Sequence, residues 1–134
     1  MLQGVTKNFK YKLFVTYCNI GSEELLSENI IEFVKTAARA KENGSYNSAV
    51  TLFFKALAVI CDLHILKKQG FVPKNHTERF RVLRADYREL YHIVNKDFPL
   101  YQQSYKLRVG REYADVLEND TEQAAKITGI KIHD

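Results

Sequence analysis

The sequence predicts an all-α protein: an up-and-down bundle of four or five helices with a short strand-like extension at the N-terminus. Two observations carry this prediction. The chain of 134 residues contains only six Gly and two Pro, which favours long regular segments over a loop-rich fold. From about residue 22 to residue 127, apolar side chains recur at intervals of three and four, and short polar segments separate the runs.

The length fits one domain, which we divide into the extension (residues 1–20) and the bundle (residues 22–127). The formal net charge is +4 and the pI is about 9.0, values that permit an anionic partner without requiring one. The only cysteines, Cys18 and Cys61, lie far apart in apolar surroundings, as expected for thiols in a reducing compartment. Neither a signal peptide nor a membrane-spanning segment is recognised, so the expected location is the cytoplasm.

The N-terminal extension is predicted to contain a strand. Apolar residues alternate in part between Phe9 and Tyr17, although Phe14 interrupts the alternation. The segment Lys126–Ile132 is the only other short run rich in β-branched residues. It is therefore the available pairing partner, within one chain or between two.

The first two helices follow from their terminal residues and apolar patterns. Ser22 is a good N-cap for helix one, and Gly44 is placed to end it. Helix two is predicted from about Ser45 to Gln69, with apolar residues nearly all the way round. Such a helix is the centre of a bundle or faces a second chain.

Helix three should follow Gly70 and Pro73, which end helix two. Thr77 is the expected N-cap, and Asn75 is the alternative. The helical pattern then runs on without a break to residue 98.

Proline at position 99 predicts a kink in that long helix, or a break at which a new helix starts. The apolar pattern continues beyond Pro99 until Gly110 ends it. A last helix is expected over Arg111–Ile127.

A basic stripe is the most prominent polar feature. On one continuous helix its four members would lie within an arc of roughly 80°; they are Arg81, Arg84, Arg88 and His92. Arginine presents a planar fork of donors that matches phosphate oxygens, so the stripe could follow a phosphodiester backbone. The alternative is a solvated face that Asp86 and Glu89 partly neutralise.

Other polar residues give weaker signals. His76 precedes the third helix and suits a structural role, as a cap or packed against helix two, better than a chemical one. Asp62 and His64 are two residues apart and diverge on a helix, so no metal site is predicted. No cofactor-binding motif is present, and the tyrosines at helical spacing suit a core or a groove lining.

Three segments together resemble the HEPN superfamily (higher eukaryotes and prokaryotes nucleotide-binding domain), in particular its small single-domain prokaryotic members. They are "SYNSAVTLFFKALAVICDLHIL", "GFVPKNHTERFRVL" and "LYQQSYKLRVGREYADVL". The resemblance covers about residues 22–127. It implies a four- or five-helix bundle that forms homodimers. It also implies either a metal-independent endoribonuclease of a toxin–antitoxin system or a nucleotide-binding partner of a small nucleotidyltransferase.

The ribonucleases of this superfamily share a signature of Arg, four to six residues, then His, and this sequence departs from it. Three residues separate Arg88 from His92, and seven separate Arg84 from His92. Arg108 matches the signature Arg by position, but Tyr113 stands where the His belongs. A phenol ordinarily titrates near 10 and is a poor general base at neutral pH, although it can donate a hydrogen bond to phosphate.

Three hypotheses result. The first is a noncatalytic or weakly active module that binds nucleotide or RNA phosphate through Arg108, Arg111 and Tyr113, together with Arg81, Arg84 and Arg88. The second is an active endoribonuclease, which requires His76 or His92 to lie close to Arg108 in the cleft of a dimer. The third is a structural dimer without a ligand.

Overall fold

The structure is a computed structural model that describes the backbone of residues 2–134 and the side chains of residues 22–134. The backbone forms five helices and, over residues 2–134, no strand. The helices are α1 (Leu2–Glu42), α2 (Tyr46–Gln69), α3 (His76–Asp86), α4 (Arg88–Gln103) and α5 (Arg111–Thr128). The prediction of an all-α bundle is confirmed.

Helix α2 is the centre of the bundle and contacts all four other helices. Its largest fully buried side chains come from several faces of the helix: Val50, Phe53, Phe54, Leu57, Ile60, Leu63 and Ile65. This explains the continuous apolar pattern, because each face meets a different neighbour. By length and composition alone α2 could cross a membrane, but 67% of its most apolar window is buried inside the bundle.

The predicted N-terminal strand is wrong, because α1 begins at Leu2 and includes Phe9–Tyr17. An isolated strand leaves its backbone N–H and C=O groups without partners, whereas a helix pairs them internally. Ser22 therefore lies inside α1 and is not its N-cap. Helix α1 ends at Glu42, close to the predicted terminator Gly44, which has a φ of 77°.

The predicted C-terminal strand is also wrong. Helix α5 ends at Thr128, and Gly129 closes it with a φ of 72° and a hydrogen bond from its N–H to the Ala125 carbonyl. The tail beyond has no regular structure, yet it buries Ile130 and Ile132 in the core and exposes Lys131. The alternation of apolar and polar residues in this tail thus reflects packing of alternate side chains on the bundle and not pairing with another strand.

The helix is interrupted at Tyr87, where the sequence predicted one continuous helix. Tyr87 has a φ of −138° and a ψ of 69°; it ends α3 and precedes α4. Its ring packs edge-on against His64 of α2 at 4.8 Å between centroids, and its hydroxyl accepts a hydrogen bond from Gln69 at 3.1 Å. These tertiary contacts, which no local signal encodes, hold Tyr87 at the junction.

Pro99 does not break its helix. Helix α4 passes through Pro99, whose side chain is exposed, and ends at Gln103, so the break, one of the two predicted alternatives, is not observed. Residues 104–110 then form a connecting segment. Gly110 caps the start of α5 with extended backbone, instead of ending a preceding helix as predicted.

Candidate functional site

Helices α3 and α4 together form an open groove of about 680 Å³, which we call the arginine groove. Its lining consists of Thr77, Phe80, Arg81, Arg84, Ala85, Arg88, Tyr91 and Asn95. Three members of the predicted basic stripe thus share one concave surface. The break at Tyr87 places the first two arginines on α3 and the third at the first residue of α4.

The arginines of this groove are exposed and free of carboxylate partners. Among residues 22–134, none of Arg81, Arg84 and Arg88 forms an ion pair. Asp86, which was expected to neutralise the stripe in part, instead accepts a hydrogen bond from Gln69 of α2 at 2.8 Å. The guanidinium donors are therefore available to an anion.

Two aromatic rings lie between these arginines. Phe80 and Tyr91 are half-buried, and their ring centroids are 6.4 Å apart at an interplanar angle of 84°. Guanidinium groups beside partly exposed aromatic rings suit nucleotides, because the guanidinium groups can bind the phosphate and the rings can stack on the base.

His92 is not part of the arginine groove. Its side chain is exposed and its ring lies against that of Tyr91, 5.6 Å between centroids. The predicted stripe ended at His92 on the assumption of one helix through residue 98. Because the helix restarts at Arg88, the groove keeps the three arginines and leaves the histidine outside its lining.

The other three residues predicted to bind phosphate lie elsewhere. Arg108 is exposed in the segment between α4 and α5. The Nε atom of Arg111 lies 3.9 Å from Asp115 Oδ1. The Tyr113 hydroxyl donates to Gln103 Oε1 at 2.7 Å, so this phenol already has a protein partner. None of the three lines the arginine groove.

Asn47 of α2 holds the segment that carries Arg108. Its side-chain amide donates to the carbonyls of Ser104 and Leu107, each at 2.7 Å, and its Oδ1 accepts from Val109 N–H at 3.2 Å. Three hydrogen bonds from one side chain replace the regular backbone pairing that an irregular segment lacks.

A cluster that the sequence analysis did not find joins α2 to the start of α3. Arg79 donates from Nε to Asp62 Oδ1 at 2.7 Å and from Nη2 to Asp62 Oδ2 at 2.9 Å. Its third nitrogen, Nη1, lies 2.7 Å from His76 Nδ1. A guanidinium only donates, so Nδ1 accepts and the proton of the neutral imidazole is on Nε2.

Burial sets the protonation of this cluster. Desolvation lowers the pKa of His76, and the charge of Arg79 lowers it further, against a smaller opposing effect of Asp62. Desolvation also raises the pKa of Asp62, although its bonds to Arg79 oppose the shift. Two features of the sequence could have indicated this cluster. Asp62 is an aspartate within an apolar helix, and His76 and Arg79 are three residues apart on one helix.

A second groove, of about 670 Å³, adjoins this cluster, and we call it the aromatic groove. It is lined by His76, Phe98, Pro99, Tyr101, Gln102, Gln103, Tyr105, Lys106 and Leu107. Tyr105 is 67% exposed, and its hydroxyl is hydrogen-bonded to that of Tyr101. Desolvation and this bond raise the pKa of Tyr101 to about 12, so its phenol stays neutral.

A buried carboxyl pair lies between α4 and α5. Asp97 is fully buried, and its carboxyl oxygens find no hydrogen-bond partner other than the carboxyl group of Asp120, which can accept a hydrogen bond only when Asp97 carries a proton. Desolvation first, and then the hydrogen bond and charge of Asp120, raise the pKa of Asp97 to about 8. The Lys96 Nζ lies 2.8 Å from Asp120 Oδ2 and 3.9 Å from Asp97 Oδ1. Asp97 is therefore neutral at pH 7 and can donate its proton to Asp120.

Residues 22–134 contain no cluster of three or more His, Cys, Asp or Glu side chains that could hold a metal ion. The Cys61 thiol is fully buried, and desolvation raises its pKa to about 12, so it is chemically inert. In comparisons with known proteins, no family model, no curated protein and no solved structure matches this chain.

Proposed function

We propose that this protein binds nucleotides or single-stranded RNA through their phosphates, without cleaving them, and that the arginine groove is the binding surface. The observation that carries the proposal is the convergence of Arg81, Arg84 and Arg88 on one groove that also contains Tyr91. This agrees with the nucleotide-binding role that the resemblance to the HEPN superfamily implies, and of the six residues predicted to bind phosphate it keeps the three on α3 and α4.

The chemistry of the groove suits phosphate. Each guanidinium can donate two parallel hydrogen bonds to one phosphate group, and no described carboxylate competes for the three arginines. The net charge of +4 favours approach of an anion to the molecule as a whole. The rings of Tyr91 and Phe80 offer a face on which a base can stack without sequence preference.

The partners in this proposal come from the resemblance. Superfamily members form homodimers and accompany small nucleotidyltransferases, so we propose a homodimer that acts beside such a chain. Sedimentation equilibrium of the purified protein tests the dimer directly, since a monomer at all concentrations would contradict it.

The binding surface can be tested with a short single-stranded RNA carrying a fluorescent label, by anisotropy between about 50 and 200 mM salt. The wild type should bind with an affinity that falls steeply with salt. The triple variant Arg81→Ala, Arg84→Ala, Arg88→Ala should bind more weakly. Its salt slope should be smaller by about one for each phosphate that the variant no longer neutralises.

A matched control removes three exposed cations elsewhere. Arg39, Lys55 and Lys131 are exposed and form no ion pair within the described part of the chain. Substituting these three with Ala lowers the net charge equally, so a smaller effect of this variant would locate the site in the groove. Equal decreases in affinity for both triple variants would mean that only overall charge matters, and would refute the proposed surface.

A further inference from the structure

The arginine groove and the aromatic groove are neighbours on one side of the molecule. Thr77 lines the first and His76, the preceding residue, lines the second. Phe80 lines the first and Phe98 the second, and their rings lie edge to face at 5.5 Å between centroids. The two grooves therefore adjoin at this pair of rings.

The lining of the aromatic groove differs from that of the first groove. It has one cation, Lys106, and it is dominated by the rings of Phe98, Tyr101 and Tyr105. Tyr105 and Leu107 are among the most exposed large apolar side chains of the described residues, at 67% and 60%. Such a surface suits a planar uncharged ring better than a phosphate.

His76 supplies a polar group of fixed orientation at this groove. Its ring packs against Phe98 at 5.3 Å and Phe54 at 6.1 Å, and its Nδ1 is occupied by Arg79, which Asp62 fixes in turn. Nε2 is therefore the nitrogen left for a ligand, and in the neutral ring it is a donor. No described side chain accepts from it.

We propose that the aromatic groove is a base-binding subsite: it accepts one unpaired base of the RNA whose phosphates lie in the arginine groove, with His76 Nε2–H donating to an acceptor on the base edge. This inference rests on the proposed function and specifies it further. The base stacks on Tyr105, while the exposed side-chain amide of Gln102 in the same lining can pair with either donors or acceptors; the Gln103 Oε1 is already taken by the Tyr113 hydroxyl.

The experiment compares two labelled oligomers of equal length: a single-stranded RNA and an abasic sugar–phosphate oligomer that keeps the phosphates and lacks the bases. The wild type should bind the RNA at least about tenfold more tightly, as one base–aromatic stack implies. Tyr105→Ala and His76→Phe should each reduce that difference severalfold and leave the affinity for the abasic oligomer unchanged; stacking on Phe80 and Tyr91 accounts for the difference that remains.

Controls separate the two grooves. The arginine triple variant should weaken binding of both oligomers, and Phe71→Ala, which removes a partly exposed ring outside both grooves, should weaken neither. Circular dichroism melting checks that each variant is folded; Tyr105→Ala truncates a side chain that is 67% exposed, at the loss of its hydrogen bond and ring contact with Tyr101, and keeps the test valid if His76→Phe is unstable.

The outcomes are distinguishable. Equal wild-type affinity for RNA and abasic oligomer would overturn the subsite and leave phosphate binding intact. A preference for RNA that neither Tyr105→Ala nor His76→Phe reduces would overturn it as well. If neither oligomer binds, the proposed function fails, and the subsite fails with it.

Discussion

Arg79 and Asp62 form a two-point ion pair between α3 and α2, with N–O distances of 2.7 and 2.9 Å and side chains that are only 11% and 9% exposed. Removing two charges from water is costly, and the pair offsets that cost only while both members are present. The same guanidinium bonds to His76 Nδ1, so one ion pair links α3 to α2 and also sets the tautomer of the imidazole.

Replacing Arg79 alone should therefore destabilise the protein strongly. We expect Arg79→Ala to lower the free energy of unfolding by about 3–5 kcal/mol, because Asp62 is left buried without a partner. Urea denaturation followed by circular dichroism measures this. The double variant Asp62→Leu, Arg79→Met should be destabilised much less, since no charge remains buried. If Arg79→Ala lowers the free energy of unfolding by no more than the exposed control Arg88→Ala does, the ion pair is not buried as described.

The sequence was sufficient to predict the helical class and the positions of α2 and α5, because these depend on local spacing and on Gly70 and Gly110. It also predicted that three arginines share a surface, but it placed them on one continuous helix, whereas the structure places them on two. The break at Tyr87 could not be predicted, since its cause is a contact with His64 and Gln69 of a different helix. The aromatic groove depends on the same kind of distant contact.

Stability should fall as the pH rises because of Asp97. Its pKa is about 8 in the folded state and about 3.9 in an unfolded chain, so the folded state binds the extra proton between these values. Unfolding then becomes easier as pH increases from about 4 to 8, which is the opposite of the usual carboxylate effect. Thermal melts across this range measure the slope.

Substituting Asp97 tests this assignment. Asp97→Asn cannot ionise, so we expect it to flatten the pH dependence and to be more stable than the wild type at pH 8, by more than about 1 kcal/mol. Asp120→Asn removes the neighbouring negative charge and should reduce the slope without abolishing it. A wild type that becomes more stable from pH 4 to 8, with Asp97→Asn parallel to it, would contradict a neutral Asp97.

Asn47 should control the local stability of residues 104–109. Asn47→Ala removes three hydrogen bonds and leaves two carbonyls and one N–H to find other partners, at a cost of about 1–3 kcal/mol. Hydrogen exchange should accelerate in peptides that cover this segment and much less in those from α2. Asn43→Ala, an exposed amide in the preceding turn, is the control. Unchanged exchange in residues 104–109 would show that Asn47 does not hold the segment.

The protein should not cleave RNA in the presence of a metal chelator. Among residues 22–134, no histidine hydrogen-bonds to Arg108 or Tyr113: His76 is bound to Arg79, and His133 lies 3.0 Å from Glu122. The Tyr113 hydroxyl is engaged by Gln103, and a phenol is a poor general base at neutral pH. Gel analysis of labelled single-stranded RNA incubated with EDTA should therefore show intact substrate. Cleavage that disappears in Arg108→Ala but persists in Arg84→Ala would reverse this expectation. It would place the chemistry at the signature arginine, because a contaminating nuclease would be unaffected by either substitution.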